Sequence, residues 1–119
     1  MLNLDTHILI YALNGKLTAR ERRRLSGNRW SISEIVVWEI TKLVQLGRIE
    51  MDIHSTYFRH ILSQLQVWRL DLKVCRRTTE LDFRSEPADE IIAATSLAHR
   101  VPLLTRDRRI LKSKVVPLA

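Results

Sequence analysis

Four carboxylates stand beside or inside apolar segments, where an ionised side chain is costly unless it binds a cation or another partner. They are Asp5, Glu39, Asp89 and Asp107. Grouped without a cation, they would repel one another and raise one another's pKa. Oxygen ligands without His or Cys are those that Mg²⁺ and Mn²⁺ prefer, and such an ion activates water for attack on a phosphodiester. The residue types therefore predict a divalent-cation site, with the hydroxyls of Thr6 and Thr105 beside it.

Each acid also has a simpler structural interpretation. Asp89, in a first helical turn, is favoured by the helix dipole, and Asp107, after a strand, is a candidate N-cap. Glu39 lies three residues before Lys42 and could form a salt bridge with it or with an arginine. The functional interpretation therefore depends on whether the fold brings the four acids to one place.

Residues 86–107 are expected to form a helix, a turn and a strand. Pro87 suits the first helical position, because its missing N–H needs no partner there. The small side chains of Ala93 and Ala94 allow this helix to lie close to a sheet. The segment 102–105 is short, apolar and bounded by turn signals, which is typical of a buried parallel strand. The last residue of the stretch follows the carboxyl end of this strand, the edge at which open α/β sheets bind ligands.

The rest of the chain alternates short apolar strands with amphipathic helices. Further strands are expected at 2–4, at 30–32, near the end of 67–72 and at 115–116. Helices are expected at 6–13, at 19–25 after a Thr18–Glu21 capping box, from 34 to before Gly47, from Ser55, at 73–81 and at 108–111. This alternation predicts parallel βαβ units. The expected fold is α/β: a single three-layer α/β/α domain over residues 1–119, with about five parallel strands and the first strand central.

Length and composition bound the class of protein. The 119 residues suit one domain, apolar residues make up 45% of them, and no apolar run reaches the ~18 residues that span a membrane. The N-terminus lacks the basic region of a secretory signal, and the single cysteine, Cys75, excludes an intramolecular disulfide. These features are typical of a cytoplasmic protein. The net charge of +7 fits a protein that handles a polyanion, and it fits a merely basic soluble protein equally well.

Three segments resemble PIN-domain ribonucleases, most closely the VapC-type toxins of toxin–antitoxin systems. They are LDTHILIYAL at 4–13, VVWEITKLVQLGRIEM at 36–51 and EPADEIIAATSLAHRVPLLTRDRRIL at 86–111. The resemblance implies a PIN-like fold, Mg²⁺- or Mn²⁺-dependent endoribonuclease activity on RNA, a homodimer, and a cognate antitoxin that blocks the site. It also implies that the metal-binding catalytic acids are Asp5, Glu39, Asp89 and Asp107, with Thr105 as the hydroxyl residue just before the last acid.

The sequence departs from the family pattern at two positions. Glu86 stands where related sequences often have Asp, and Glu90 stands where many have Arg, which adds negative charge near the expected pocket. Two other functions stay open at this point. One is an RNA-processing nuclease without an antitoxin, and the other is a catalytically silent nucleic-acid-binding domain on the same fold. The presence of all four acids argues against the silent domain.

Overall fold

The computed structural model describes all residues from 1 to 119 as a parallel sheet with helices packed against it. The four strands are β1 (Leu2–Leu4), β2 (Trp30–Ser33), β3 (Gln66–Trp68) and β4 (Leu103–Leu104). The seven helices are α1 (Thr6–Leu13), α2 (Ala19–Leu25), α3 (Glu34–Gln45), α4 (Thr56–Ser63), α5 (Leu72–Thr78), α6 (Pro87–His99) and α7 (Arg108–Leu111). The strand order is β3-β2-β1-β4 and every pairing is parallel, so the predicted α/β fold is confirmed.

The first strand lies inside the sheet, as predicted, between β2 and β4. All three residues of β1 are buried. The strand is covered on both faces, and apart from Asn3 its side chains are therefore apolar. Leu4 packs in the main core with side chains from the flanking helices, including Ile8 of α1, Val36 of α3 and Ile92 of α6. The carboxyl end of the strand is therefore held between three helices.

The expected fifth strand at Val115–Val116 is absent, and the sheet has four strands. The Ser113 hydroxyl accepts hydrogen bonds from the backbone N–H groups of both valines, at 3.2 and 3.1 Å, and so holds them in a turn. The chain reaches the sheet only two residues later, where Leu118 forms a single parallel bridge with Leu103 of β4. This bridge covers the edge of β4 with the C-terminal segment.

The predicted helix starts are confirmed by their capping bonds. The Thr18 hydroxyl accepts from the Glu21 N–H at 3.1 Å, and the Glu21 carboxylate accepts from the Thr18 N–H at 2.8 Å, which completes the capping box of α2. At the starts of α3 and α4, the hydroxyls of Ser33 and Ser55 accept from the N–H groups of Ile35 and Phe58, without the reciprocal bond of a capping box. Pro87 is the first residue of α6. No helix of the chain is both long enough and apolar enough to cross a membrane.

A buried polar network fastens α6 to the sheet. The Asn3 side-chain amide donates to the Ser96 hydroxyl at 2.9 Å, and its carbonyl accepts from the Ser31 hydroxyl at 3.3 Å. All three side chains are fully buried. Ala93 is fully buried in the main core and lets α6 approach the strands, whereas Ala94, also fully buried, packs with Val74 of α5. The network therefore connects β1, β2 and α6 behind the edge where the acids lie.

Replacing Asn3 by alanine should lower the free energy of unfolding by about 1–3 kcal/mol, because it leaves the buried Ser96 hydroxyl without its partner, while Ser31 still bonds to the Leu2 carbonyl. Asn14→Ala is the matched control, since Asn14 is exposed and its side chain makes no hydrogen bond. Urea unfolding followed by circular dichroism measures both variants. Equal midpoints for the two would contradict a structural role of the Asn3 network.

Candidate active site

A cleft of about 240 Å³ opens at the carboxyl ends of β1 and β4. Its lining is formed by Asp5, His7, Tyr11, Asp89, Arg106 and Asp107. Three of the four predicted acids thus share one cleft. The fourth, Glu39, approaches from α3, and the charges of Asp5 and Asp89 both act on it. The fold brings together residues that lie more than 100 positions apart in the sequence.

Asp5 is the most buried of the four acids and is held by two hydrogen bonds. One carboxylate oxygen accepts from the Thr6 N–H at 2.7 Å, which makes Asp5 the N-cap of α1. The other accepts from the Thr105 hydroxyl at 2.6 Å. The Thr105 hydroxyl in turn accepts from the Asp107 N–H at 3.0 Å. Thr105 therefore joins the ends of β1 and β4, and its only proton is directed at Asp5.

Glu39 is half-buried on α3 and accepts a hydrogen bond from the hydroxyl of Thr6. The salt-bridge interpretation of Glu39 is wrong, because no lysine or arginine pairs with it. The ammonium of Lys42 instead donates to the side chain of Gln45 at 3.0 Å. Glu39 is thus an unpaired carboxylate on a helix face that otherwise packs against the core.

Asp89 is half-buried in the first turn of α6 and accepts a hydrogen bond from the Ser85 hydroxyl at 3.0 Å. Glu90, the residue expected to add charge near the pocket, instead accepts from the Ser85 N–H at 2.8 Å. It does not line the cleft of the acids. Both contacts shape the turn that leads into α6, so Ser85 positions Asp89 from outside the helix.

Asp107 is the N-cap of α7, so the predicted structural role is confirmed, but capping uses only one of its two carboxylate oxygens. One carboxylate oxygen accepts from the N–H groups of Arg109 and Ile110, at 2.8 and 3.2 Å. The second oxygen makes no hydrogen bond within the chain, although Asp107 lines the cleft. Capping therefore orients this carboxylate and leaves one oxygen for a ligand.

The cluster carries negative charge that the chain itself does not neutralise. Burial raises the pKa of Asp5, and the charge of Asp107 raises it further. Burial likewise raises the pKa of Glu39 and of Asp89, with added repulsion from the other acids of the cluster. Neither of the two salt bridges in the chain involves any of the four acids. The ionised cluster is therefore unfavourable until a cation enters.

The donor chemistry of this cluster fits a hard divalent cation. All four side chains offer carboxylate oxygens, the ligands that such cations prefer, and burial raises the pKa of three of them, Asp5, Glu39 and Asp89. No group of three or more His, Cys, Asp or Glu side chains is placed to hold a metal ion by itself, so an ion here would take part of its ligands from water. The acids line an open cleft, which suits Mg²⁺ or Mn²⁺ ions that keep several water ligands.

Arg106 forms the rim of the cleft and was missed in the sequence. Its guanidinium makes a bidentate pair with Glu21, with both bonds at 2.7 Å, and lies 4.1 Å from the centre of the Tyr11 ring. The pair lowers the pKa of Glu21 to about 2. The one sequence signal for this pair was Glu21 itself, the glutamate of the capping box. It caps α2 and still has capacity to bind the arginine.

The sequence and the fold agree on the family. The sequence model of the PIN domain matches residues 3–115, nearly the whole chain, so the chain belongs to the PIN domain family. The resemblance noted in the sequence is thereby confirmed. No curated protein gives a significant match to the sequence.

Several solved structures share this fold at low sequence identity. The chain is similar to FitAcB from Neisseria gonorrhoeae, with a TM-score of 0.77, 20% identity and coverage of 99% of this chain and 96% of that one. It is similar to VapBC2 from Rickettsia felis bound to a promoter DNA fragment, with a TM-score of 0.75, 20% identity and coverage of 100% of this chain and 98% of that one. It is also similar to DNA-bound VapBC from Salmonella typhimurium, with a TM-score of 0.71, 21% identity and coverage of 100% of this chain and 98% of that one. These likenesses establish the fold.

The Glu21–Arg106 pair should make stability depend on pH in the acid range. Because the folded pKa of Glu21 lies near 2, below its ordinary value of 4.5, the contribution of the pair is complete above pH 4.5 and is lost as the pH falls towards 2. Wild type should exceed Glu21→Gln by about 1–2 kcal/mol at pH 7, allowing for solvent screening of the half-exposed arginine. Urea unfolding from pH 7 to pH 2 measures this difference, and a constant gap would contradict the ion pair.

Removing the charge of a site acid should have the opposite effect on stability to removing that of Glu21. Their raised pKa values make the ionised folded state less stable, so in EDTA at pH 7 Asp5→Asn, Glu39→Gln and Asp89→Asn should be as stable as wild type or up to about 1 kcal/mol more stable. The gain should vanish as the pH falls to the ordinary carboxyl values of 3.8 and 4.5.

Glu50→Gln is the control for these amide variants, since Glu50 is exposed and its side chain makes no hydrogen bond or ion pair. Its free energy of unfolding should change by less than about 0.5 kcal/mol. A loss of stability in two or more of the site variants would mean that the acids are structural.

Proposed function

We propose that the chain is a Mg²⁺- or Mn²⁺-dependent endoribonuclease that acts as the toxin of a type II toxin–antitoxin pair. The observation that carries this proposal is the cleft lined by Asp5, Asp89 and Asp107 in a PIN domain, with Glu39 beside it and no salt bridge to any of the four carboxylates. Asp5, Glu39, Asp89 and Asp107 would hold the metal through their oxygens. When bound, the metal would activate water for attack on the phosphodiester and offset the charge of the phosphate.

The hydroxyl residues of the site would position the acids. The Thr105 hydroxyl donates to Asp5 and accepts from the Asp107 N–H, so it fixes the position of these two acids relative to each other. Thr6 and Ser85 do the same for Glu39 and Asp89. Thr105 would therefore serve catalysis by holding the ligands in place, which is the role that its hydrogen bonds support.

RNA as the substrate is supported by charge. With 20 lysines and arginines against 13 acids, the chain remains strongly basic although four of its acids gather in one cleft. A basic surface around an acidic cleft attracts a polyanion and leaves its scissile phosphate to the metal.

A cognate antitoxin and a homodimer complete the proposal. Among the structures with this fold is a toxin–antitoxin complex from Klebsiella pneumoniae. It matches with a TM-score of 0.71 at 21% identity and covers 94% of this chain and 91% of that one. The chain also exposes large apolar side chains at Trp38, Tyr57 and Leu72, which are 54, 67 and 62% exposed. Such side chains favour contacts with another protein surface.

Purified protein should cleave RNA in Mg²⁺ or Mn²⁺ and should stop in EDTA. Because water is the nucleophile, the products should carry 5′-phosphate and 3′-hydroxyl ends, which end-labelling identifies. Asp89→Asn, which keeps the fold, should lose at least about a hundredfold in rate. Full activity in EDTA, or 2′,3′-cyclic phosphate ends, would exclude the metal mechanism.

Expression of the chain alone should slow bacterial growth, and co-expression with the neighbouring small reading frame should restore it. Asp89→Asn is the control and should not slow growth at the same protein level. RNA cleavage in vitro without any growth effect or co-purifying partner would favour an RNA-processing nuclease without an antitoxin.

A further inference from the structure

A second cleft adjoins the acidic one and shares Asp107 with it. Its volume is about 620 Å³, and none of its lining residues is apolar. They are Ser85, Glu86, Asp107, Arg108, Arg109 and Lys112. We propose that this cleft, through Arg108 and Lys112, binds a backbone phosphate of the single-stranded RNA next to the scissile one. The proposal rests on the ribonuclease function and specifies how its substrate is held.

Arg108 and Lys112 are exposed cations that have no partner within the chain. Neither side chain makes a hydrogen bond or a salt bridge. They are four residues apart across α7 and its C-cap, so they lie on the same side of this short helix. Two unpaired cations on one wall present a local positive field, and they need no existing contact to be broken before they bind an anion.

Arg109, the third cation of the cleft, has a structural task. Its guanidinium donates to the backbone carbonyl of Arg84 at 2.8 Å, and its N–H donates to Asp107. It therefore ties α7 to the segment that precedes α6. The carboxylates of Glu86 and Asp107 also line the cleft and repel an anion, so a phosphate would bind nearest to Arg108 and Lys112.

The arginines and the lysine that line the two clefts differ in whether they have a partner. Arg106, in the acidic cleft, is held by Glu21 through two hydrogen bonds. Because Arg109 is held as well, Arg108 and Lys112 are the lining cations that remain available to a substrate. An RNA strand whose scissile phosphate sits at the acids would extend towards α7, where the next phosphate finds Arg108 and Lys112.

The test compares two double variants that remove the same charge. Arg108→Gln with Lys112→Gln alters the cleft, whereas Arg23→Gln with Arg24→Gln alters exposed arginines of α2 that also lack partners. Binding of a fluorescent 12-nucleotide single-stranded RNA is measured by anisotropy in EDTA, where the strand stays intact. The cleft variant should bind about tenfold more weakly at ~0.1 M salt, and its plot of log K against log salt should lose about 0.7 of slope, the value for one phosphate contact on a single strand.

The α2 variant should change the affinity by less than about twofold, and Arg108→Lys with Lys112→Arg, which keeps both charges, should restore most of the binding. In Mg²⁺ the KM for the same RNA should rise in the cleft variant alone. Equal losses of affinity in the cleft and α2 variants would overturn the proposal, because binding would then follow net charge. If wild type failed to cleave RNA while the cleft variant still bound it selectively worse, the ribonuclease proposal would fail and the phosphate site would stand.

Discussion

The hydrogen bond from the Thr105 hydroxyl to Asp5 is the contact on which the arrangement of the site depends. It joins the carboxyl ends of two adjacent parallel strands, and the same hydroxyl receives the N–H of Asp107. Two acids more than 100 residues apart are thereby placed relative to each other by one side chain. Because Thr105 is itself buried, this geometry does not vary with the solvent. The remaining acids are then added from α3 and α6, each with a hydroxyl of its own.

These hydroxyls offset part of the cost of a charged cluster and leave the rest. A hydrogen bond to a carboxylate favours its ionised form, yet burial and mutual repulsion outweigh that effect, since the pKa values of Asp5, Glu39 and Asp89 are raised. The scaffold must bear this cost in the absence of a cation. The buried network of Asn3, which ties β1 to α6 behind the acids, helps to hold them close together.

Local signals in the sequence were sufficient for three of the four strands, for the caps and for the element on which each acid lies. The third strand was misplaced, because it spans 66–68 and not the end of 67–72. Asp89 was predictable from Pro87 and the helix that follows, and Glu39 was conspicuous because a carboxylate interrupts an apolar stripe. The long-range polar contacts were not predictable. Arg106 and Glu21 are 85 positions apart, and either has many possible partners. The expected fifth strand failed for a local reason, because the hydroxyl of Ser113 competes for backbone N–H groups, which an apolar pattern does not reveal.

The two kinds of arginine around the cleft follow from the same electrostatic constraint. A free cation next to the acids would pair with them, whereas Arg106, which lines their cleft, is held by Glu21 and by the ring of Tyr11. Arg108 lies outside that cleft, beyond the cap formed by Asp107, and no carboxylate pairs with it. One surface therefore keeps its clustered carboxylates unpaired and still carries positive charge beside them, and a positive field of this kind attracts anions.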